Sequence, residues 1–256
     1  MKVLPFPEWV PKVDPGSKVL VTGASGGLGG ALINMLLKSE DIMIGAHGRQ
    51  VESIVPHRRI IVIEKDLAAE GDCEQVVKQF VQEAGGIDML VNLCGGISYS
   101  GHWKKMSSDD WDQDLALNLS IAFYLSRSAM SSMESSGRGG RIILTGTESS
   151  LHGGSPVSFP YAIAKGGTEC MVQGLAREGA PNRILVNGVR FGFIESGFHQ
   201  RWHNRDVTEM EERAQLVPIK RGGHPDEAAA LMIYLLSGWA EFITGQMIPL
   251  TGGDWL

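Results

Sequence analysis

The sequence predicts an α/β fold: a doubly wound parallel sheet of about seven strands with helices on both faces. Three observations predict it. Short apolar runs rich in β-branched residues recur along the chain, with helical periodicity between them. The runs are apolar throughout and do not alternate with polar residues, as strands buried on both faces require. At 256 residues, with 43% hydrophobic content, the chain is long enough for one sizeable core. Right-handed crossovers then place a ligand crevice at the C-terminal ends of the strands.

The first unit is Lys18 to Leu37, KVLVTGASGGLGGALINMLL. Lys18 to Thr22 reads as a strand, the glycines that follow as a tight turn, and the residues from Gly29 as a helix. Gly23 suits the dihedral angles of the turn, Gly27 admits close backbone approach by a ligand, and Gly29 lets the helix sit near the strand. The first helical N–H groups, with the helix's positive end, suit a pyrophosphate. A glycine-rich turn without a ligand is the plainer alternative. The turn is not a P-loop, because the Gly-Lys-Ser/Thr ending is absent.

The glycines of Thr22-Gly23-Ala24-Ser25-Gly26-Gly27-Leu28-Gly29 are spaced TGxxxGxG, not GxGxxG. This spacing resembles the short-chain dehydrogenase/reductase family, whose fold is of the Rossmann type. The resemblance runs from about Lys18 to Gly253 and implies that Gly23, Ser25, Gly27, Leu28 and Gly29 face a dinucleotide.

Further strands are expected at Ile42–Ala46, Ile60–Glu64, Met89–Asn92, Arg141–Thr145, Ile184–Val189 and Gln246–Pro249. Helices are expected at about Cys73–Glu83, Asp109–Met133, Tyr161–Glu178 and Asp226–Ser237. The second strand ends at Ala46-His47-Gly48-Arg49-Gln50, with no carboxylate where one would bond an adenosine ribose 2′-OH. Arg49 can grip a 2′-phosphate, which favours NADP(H) over NAD(H); a surface loop arginine is the alternative. His47 reads as packing. By resemblance Asp66, with Leu67, lies beside the adenine; an acid at a helix N-terminus is the alternative. Asn92-Leu93-Cys94-Gly95 resembles the family's NNAG segment, with Leu93 and Cys94 as departures. Asn92, Cys94 and Gly95 are therefore counted with the cofactor, although Asn92 also suits a tie between strands.

Asn118 is polar in an otherwise apolar helix, for which Ser107 or Ser108 is the cap candidate. It bonds its own helix backbone or matches the family's catalytic asparagine. Tyr161-Ala162-Ile163-Ala164-Lys165 puts a phenol and an ammonium on one helical face. A nearby ammonium lowers a phenol's pKa and fits it for proton transfer. By resemblance Lys165 also bonds the nicotinamide ribose, so Tyr161 and Lys165 count as cofactor contacts too. Gly166 and Gly167 follow inside the helix, each costing about 1 kcal/mol against alanine.

The family's serine normally stands thirteen residues before the tyrosine, where this chain has Glu148. Alignment from the strand puts Thr147 in that place, with a hydroxyl to bond a substrate oxygen; Ser149 is the second candidate and a substrate contact. Phe191-Gly192-Phe193-Ile194-Glu195-Ser196 resembles the PG-x-x-x-T segment, implying that Ile194 and Ser196 hold the cofactor. Residues 197–215 are expected to be a charged, irregular insertion covering the substrate, with His199, Trp202 and His203 as lining candidates.

Net charge is −6 and the pI about 5.7, which argues against nucleic-acid or anionic-membrane binding. Three cysteines cannot all pair, and no metal-ligand spacing is present. The first sixteen residues carry four prolines and no apolar core, so they are no signal peptide. Residues 1–17 are expected as an extended arm, held through Phe6 and Trp9, before one catalytic domain at 18–256. A cytoplasmic location follows, and the resemblance implies a homodimer or homotetramer. The expected activity is hydride transfer between NADP(H) and a ketone or secondary alcohol. The alternative is a dinucleotide-binding regulatory or non-redox protein on the same fold.

Overall fold

The computed structural model describes residues 9–203 and 206–254. In chain order the strands are β1 (Lys18–Thr22), β2 (Met43–Gly48), β3 (Ile60–Glu64), β4 (Met89–Asn92), β5 (Gly140–Thr147), β6 (Ile184–Phe191) and β7 (Met247–Leu250). They form one parallel sheet in the order β3-β2-β1-β4-β5-β6-β7. Successive strands run outward from β1 on one side and from β4 on the other. The order therefore reverses between β1 and β4, and a crevice opens at their C-terminal ends.

Alternate strand residues serve opposite faces. Val19 and Val21 pack with Leu32 and Leu36 of α1 (Gly27–Leu36) on one face. Leu20, between them, joins Phe80 of α2 (Glu70–Ala84) on the other. Gly45 in β2 makes room for that ring, since a Cβ there would lie 2.5 Å from the Phe80 ring edge. No helix among the described residues is long and apolar enough to cross a membrane.

The helix expected at Asp109–Met133 is three segments: α3 (Ser108–Leu115), a π-turn at Ala116–Ser120, and α4 (Ile121–Ser136). Ser107 is its cap, receiving the Asp110 N–H at 3.1 Å. A short α5 (Ser149–His152) precedes α6 (Phe159–Gly179), which carries Tyr161 and Lys165. Gly167 lets α6 meet the π-turn, because a Cβ there would stand 3.0 Å from Leu119.

The segment at 197–215 is not irregular. It holds α7 (Phe198–His203) and α8 (Val207–Leu216), the latter opened by a reciprocal Asp206–Glu209 capping box. α9 (Pro225–Leu236) joins α1 over the first face, with Met232 and Ile233 in that core.

The expected anchoring of the arm also needs correction. Trp9 is 71% exposed; Val13 is buried instead, and its N–H donates to Ser39 Oγ at 3.2 Å. Phe6 lies outside the described residues.

Candidate active site

Two adjoining cavities, of about 490 and 460 Å³, occupy the crevice at the strands' C-terminal ends. Leu28, Leu93, Cys94, Gly95, Ser196 and Phe198 line both, so the two spaces meet along one wall.

The smaller cavity contains the turn after β1. Gly23 sits at φ +74°, and a Cβ on it would come within 2.9 Å of the Leu93 carbonyl carbon. A Cβ on Gly29 would stand 2.5 Å from Ala24 Cα, so this glycine lets the start of α1 pack against the turn after β1. Gly27 has a different neighbour from the one expected. A Cβ there would lie 2.4 Å from the Ser196 carbonyl oxygen, so the glycine makes room for the chain after β6 as well as for any ligand. Ser25, Gly48, Arg49, Asp66 and Leu67 line the same cavity. Arg49 is exposed and makes no ion pair with a described residue. Glu52 and Ser53 share its wall, and neither was singled out from sequence, where a loop gives no periodic signal.

Asn92 lines neither cavity. Its Oδ1 accepts from Thr22 Oγ1 at 2.7 Å and from the Cys94 N–H at 3.1 Å, tying β1 to β4. This is the strand tie, not a direct contact with the crevice. The Cys94 thiol lies on both walls, and burial pushes its pKa up to about 11, which keeps it protonated and unreactive at neutral pH.

The larger cavity carries the acid–base groups. Tyr161, Lys165, Thr147, Ser149 and Ile194 all line it. Thr147 stands beside the Tyr161 phenol, whose pKa it lowers. Ser149 instead donates its backbone N–H to Thr147 Oγ1 at 3.3 Å. Lys165 is 3% exposed, with Nζ 3.2 Å from Thr145 Oγ1 and 6.0 Å from the Tyr161 ring centroid. Burial dominates both titrations. It pushes the phenol up to about 12, against the Thr147 hydrogen bond, and the ammonium down to about 8. The expected lowering of the tyrosine by the lysine is therefore not what the structure has.

Asn118 is 1% exposed and holds the loop after β4. Its Nδ2 donates to Gly96 O at 2.8 Å and to Asp114 O at 3.0 Å, and its Oδ1 accepts the Gly96 N–H at 3.0 Å. The bond to its own helix is present, and the amide also ties that helix to the loop after β4. Gly95 lies between the two key side chains, since a Cβ there would be 2.9 Å from Asn118 Oδ1 and 3.2 Å from Lys165 Nζ.

Trp202 was expected in the substrate space. Its ring packs on Gly96 and lines the smaller cavity, because α7 carries it across the shared wall. His199 does line the larger cavity; the His203 side chain lies outside the described residues. Phe198, whose ring centroid is 5.9 Å from that of Tyr161, and Arg213 of α8 were missed because their segment was read as irregular.

A model of the enoyl-(acyl carrier protein) reductase family matches residues 41–254. This chain belongs to the short-chain dehydrogenase/reductase family of oxidoreductases. Nodulation protein G of Rhizobium meliloti is 33% identical over 244 residues, covering 93% of this chain and 96% of that one. The 3-oxoacyl-(acyl-carrier-protein) reductase FabG of Rickettsia conorii is 32% identical over the same lengths and shares. The crystal structure of a glucose/ribitol dehydrogenase-type member from Brucella melitensis superimposes with a TM-score of 0.83 at 28% identity, covering 95% of this chain and 98% of that one.

Proposed function

We propose that this protein reduces a ketone to a secondary alcohol with NADPH, and runs the reverse reaction from the alcohol. The observation that carries this reading is the Tyr161 phenol, with Thr147 and Lys165 on the same wall, in a cavity that adjoins the glycine-lined one. The glycine cradle fits a dinucleotide: Gly23, Gly27 and Gly29 line the smaller cavity, and the tight backbone packing that shapes it admits no Cβ at any of them. Gly23, Ser25, Gly27, Leu28 and Gly29 would hold the pyrophosphate, and Asp66 and Leu67 the adenine. Cys94, Gly95, Ile194 and Ser196 would line the nicotinamide half. A nicotinamide bound there supplies the hydride.

The protein's part is the proton and the charge. Tyr161 keeps its proton to about pH 12 in this environment, so it is ready to donate to a carbonyl oxygen. Thr147 orients that oxygen, Lys165 brings positive charge to the site, and Asn118 fixes the loop that holds Gly95 beside Lys165. Arg49, unpaired among the described residues, supports a 2′-phosphate. Glu52 on the same wall makes Arg49→Glu an informative variant. Residues 197–215 would cover the substrate. Phe123 and Ile163, exposed on α4 and α6, support pairing of these helices in a homodimer or homotetramer.

The test is a fluorescence titration with NADPH and NADH, followed by nicotinamide absorbance across a ketone panel. Tyr161→Phe is expected to lower kcat about 10²- to 10⁴-fold while leaving nucleotide affinity within a few-fold. Full turnover in this variant would refute the assignment. Arg49→Glu is expected to reverse the preference between the two nucleotides.

A further inference from the structure

Proton transfer through Tyr161 leaves one acid on the cavity wall without a task. Glu148 follows Thr147 directly and is 4% exposed. Its backbone N–H donates to Phe191 O at 3.0 Å, so the side chain is held at the C-terminal edge of β5 and β6. Thr251 hydrogen-bonds its carboxyl, but no donor among the described residues reaches Oε1. The nearby guanidiniums are engaged elsewhere: Arg213 pairs with Asp254, and Arg190 holds Glu169 through two hydrogen bonds of 2.9 and 2.6 Å. Gly192 adds to the enclosure, since a Cβ on it would stand 2.8 Å from Glu148 Oε2.

A buried carboxyl oxygen with no partner is unfavourable, and an apolar residue of similar size would avoid that cost. Here the orphaned group lines the same cavity as Tyr161 and Thr147. Its missing partner is therefore sought in what enters that cavity.

We propose that Glu148 is a specificity residue: its carboxyl hydrogen-bonds a second hydroxyl of the substrate, close to the reacting carbon, and so selects hydroxyketones and diols over their deoxy analogues. This inference rests on the ketone–alcohol reading above. A hydroxyl is favoured over an ammonium because burial and Asp254 push Glu148 up to about 7. Near neutrality the group is then an acceptor in part of the molecules and a donor in the rest, and a hydroxyl serves both. The serines at 149, 155 and 158 on the same walls are also suited to a polar, hydroxylated molecule. A site built around a substrate hydroxyl discriminates strongly, since the analogue lacking it leaves the buried group unpaired.

The experiment compares a matched set of ketones: one with a hydroxyl on the adjacent carbon, its deoxy analogue, and its amino analogue. Each is assayed for kcat/KM with NADPH in wild type, Glu148→Val and Glu148→Gln. In parallel, binding of each ketone to the protein with NADP+ is followed by tryptophan fluorescence. Wild type is expected to prefer the hydroxyketone over the deoxy compound by about ten- to a hundred-fold in both readouts. The ratio is expected to fall to about one in Glu148→Val and to stay within a few-fold of wild type in Glu148→Gln, whose amide can accept and donate. The same ratio in wild type and Glu148→Val, or a preference for the amino compound, overturns the proposal. A binding preference without turnover upholds the role of Glu148 and refutes the redox reading instead.

Discussion

Asn118 offers the sharpest test of how the crevice is held open, because its partners are all fixed and buried. Asn118→Ala removes three hydrogen bonds, two to Gly96 and one to Asp114 O, of 2.8–3.0 Å. Each contributes about 1 kcal/mol net, and the buried Gly96 N–H and C=O, left without partners, add a further penalty of about 1 kcal/mol or more. Alanine's better helix propensity returns about 0.5 kcal/mol. The expected loss is therefore about 3–4 kcal/mol. For a chain of this size that corresponds to about 10 °C in melting temperature. Thermal unfolding by circular dichroism measures it. Ser126→Ala is the matched control on α4: its hydroxyl is buried with no partner among the described residues, so the change is expected to be neutral or slightly stabilising. A melting temperature for Asn118→Ala within about 2 °C of wild type would refute the claim that this amide holds the loop after β4.

Gly27→Ala places a Cβ 2.4 Å from the Ser196 carbonyl oxygen, so the chain after β6 must move; nucleotide affinity is expected to fall at least about tenfold. Gly30→Ala, with nothing within 4 Å of its Cβ, is the control in the same titration and is expected to match wild type. Glu148→Gln should show a pH-dependent gain. Burial and Asp254 raise the folded pKa from 4.5 to about 7, against Thr251, Arg213 and Arg190, so the folded state holds an extra proton in that window. Wild type therefore loses stability against the variant as pH rises from about 4.5 to 7, by on the order of 3 kcal/mol, read from urea unfolding at the two ends. Lys165→Met gives the opposite slope. The folded pKa is depressed from 10.5 to about 8, the unfolded chain holds the extra proton between them, and wild type gains on the variant as pH rises through that window. A flat difference in either pair of melts would contradict the burial argument.

The strands were legible because their signal is local. Buried parallel strands are continuous apolar runs, and all seven lie within two residues of the expected bounds, with β2, β5 and β6 each running two residues further at the C-terminal end. The glycine turn and the Tyr161–Lys165 pair were legible because their spacing alone places them on one turn and one helical face. The π-turn at Ala116–Ser120 was not. It goes with a hydrogen bond from Gly96, twenty-two residues away, and helical periodicity reads straight through it. The helices at 198–203 and 207–216 were hidden by their charges, although Asp206 and Glu209 stand at capping-box spacing. Trp202 was assigned to the wrong cavity because its side depends on how α7 crosses the shared wall. Titration behaviour was the least legible of all: the spacing of Tyr161 and Lys165 says nothing of how deeply both are buried.

That burial changes the chemical argument for the site. From spacing alone, a phenol beside an ammonium is a phenol pushed toward phenolate. In the folded chain the ammonium points to Thr145, 6.0 Å from the phenol ring centroid, and desolvation governs both groups. The charged forms of both are disfavoured, so each drifts toward neutrality, Tyr161 by holding its proton and Lys165 by releasing one more easily. A tyrosine in that condition is protonated at neutral pH but a weaker acid than a free phenol. Glu148 drifts the same way, toward its protonated form, for the same reason. Three ionisable groups on one cavity wall are thus all biased toward their neutral states, chiefly by burial and for Glu148 also by Asp254. The phenol and the ammonium therefore meet the crevice with titrations governed by burial and not by each other.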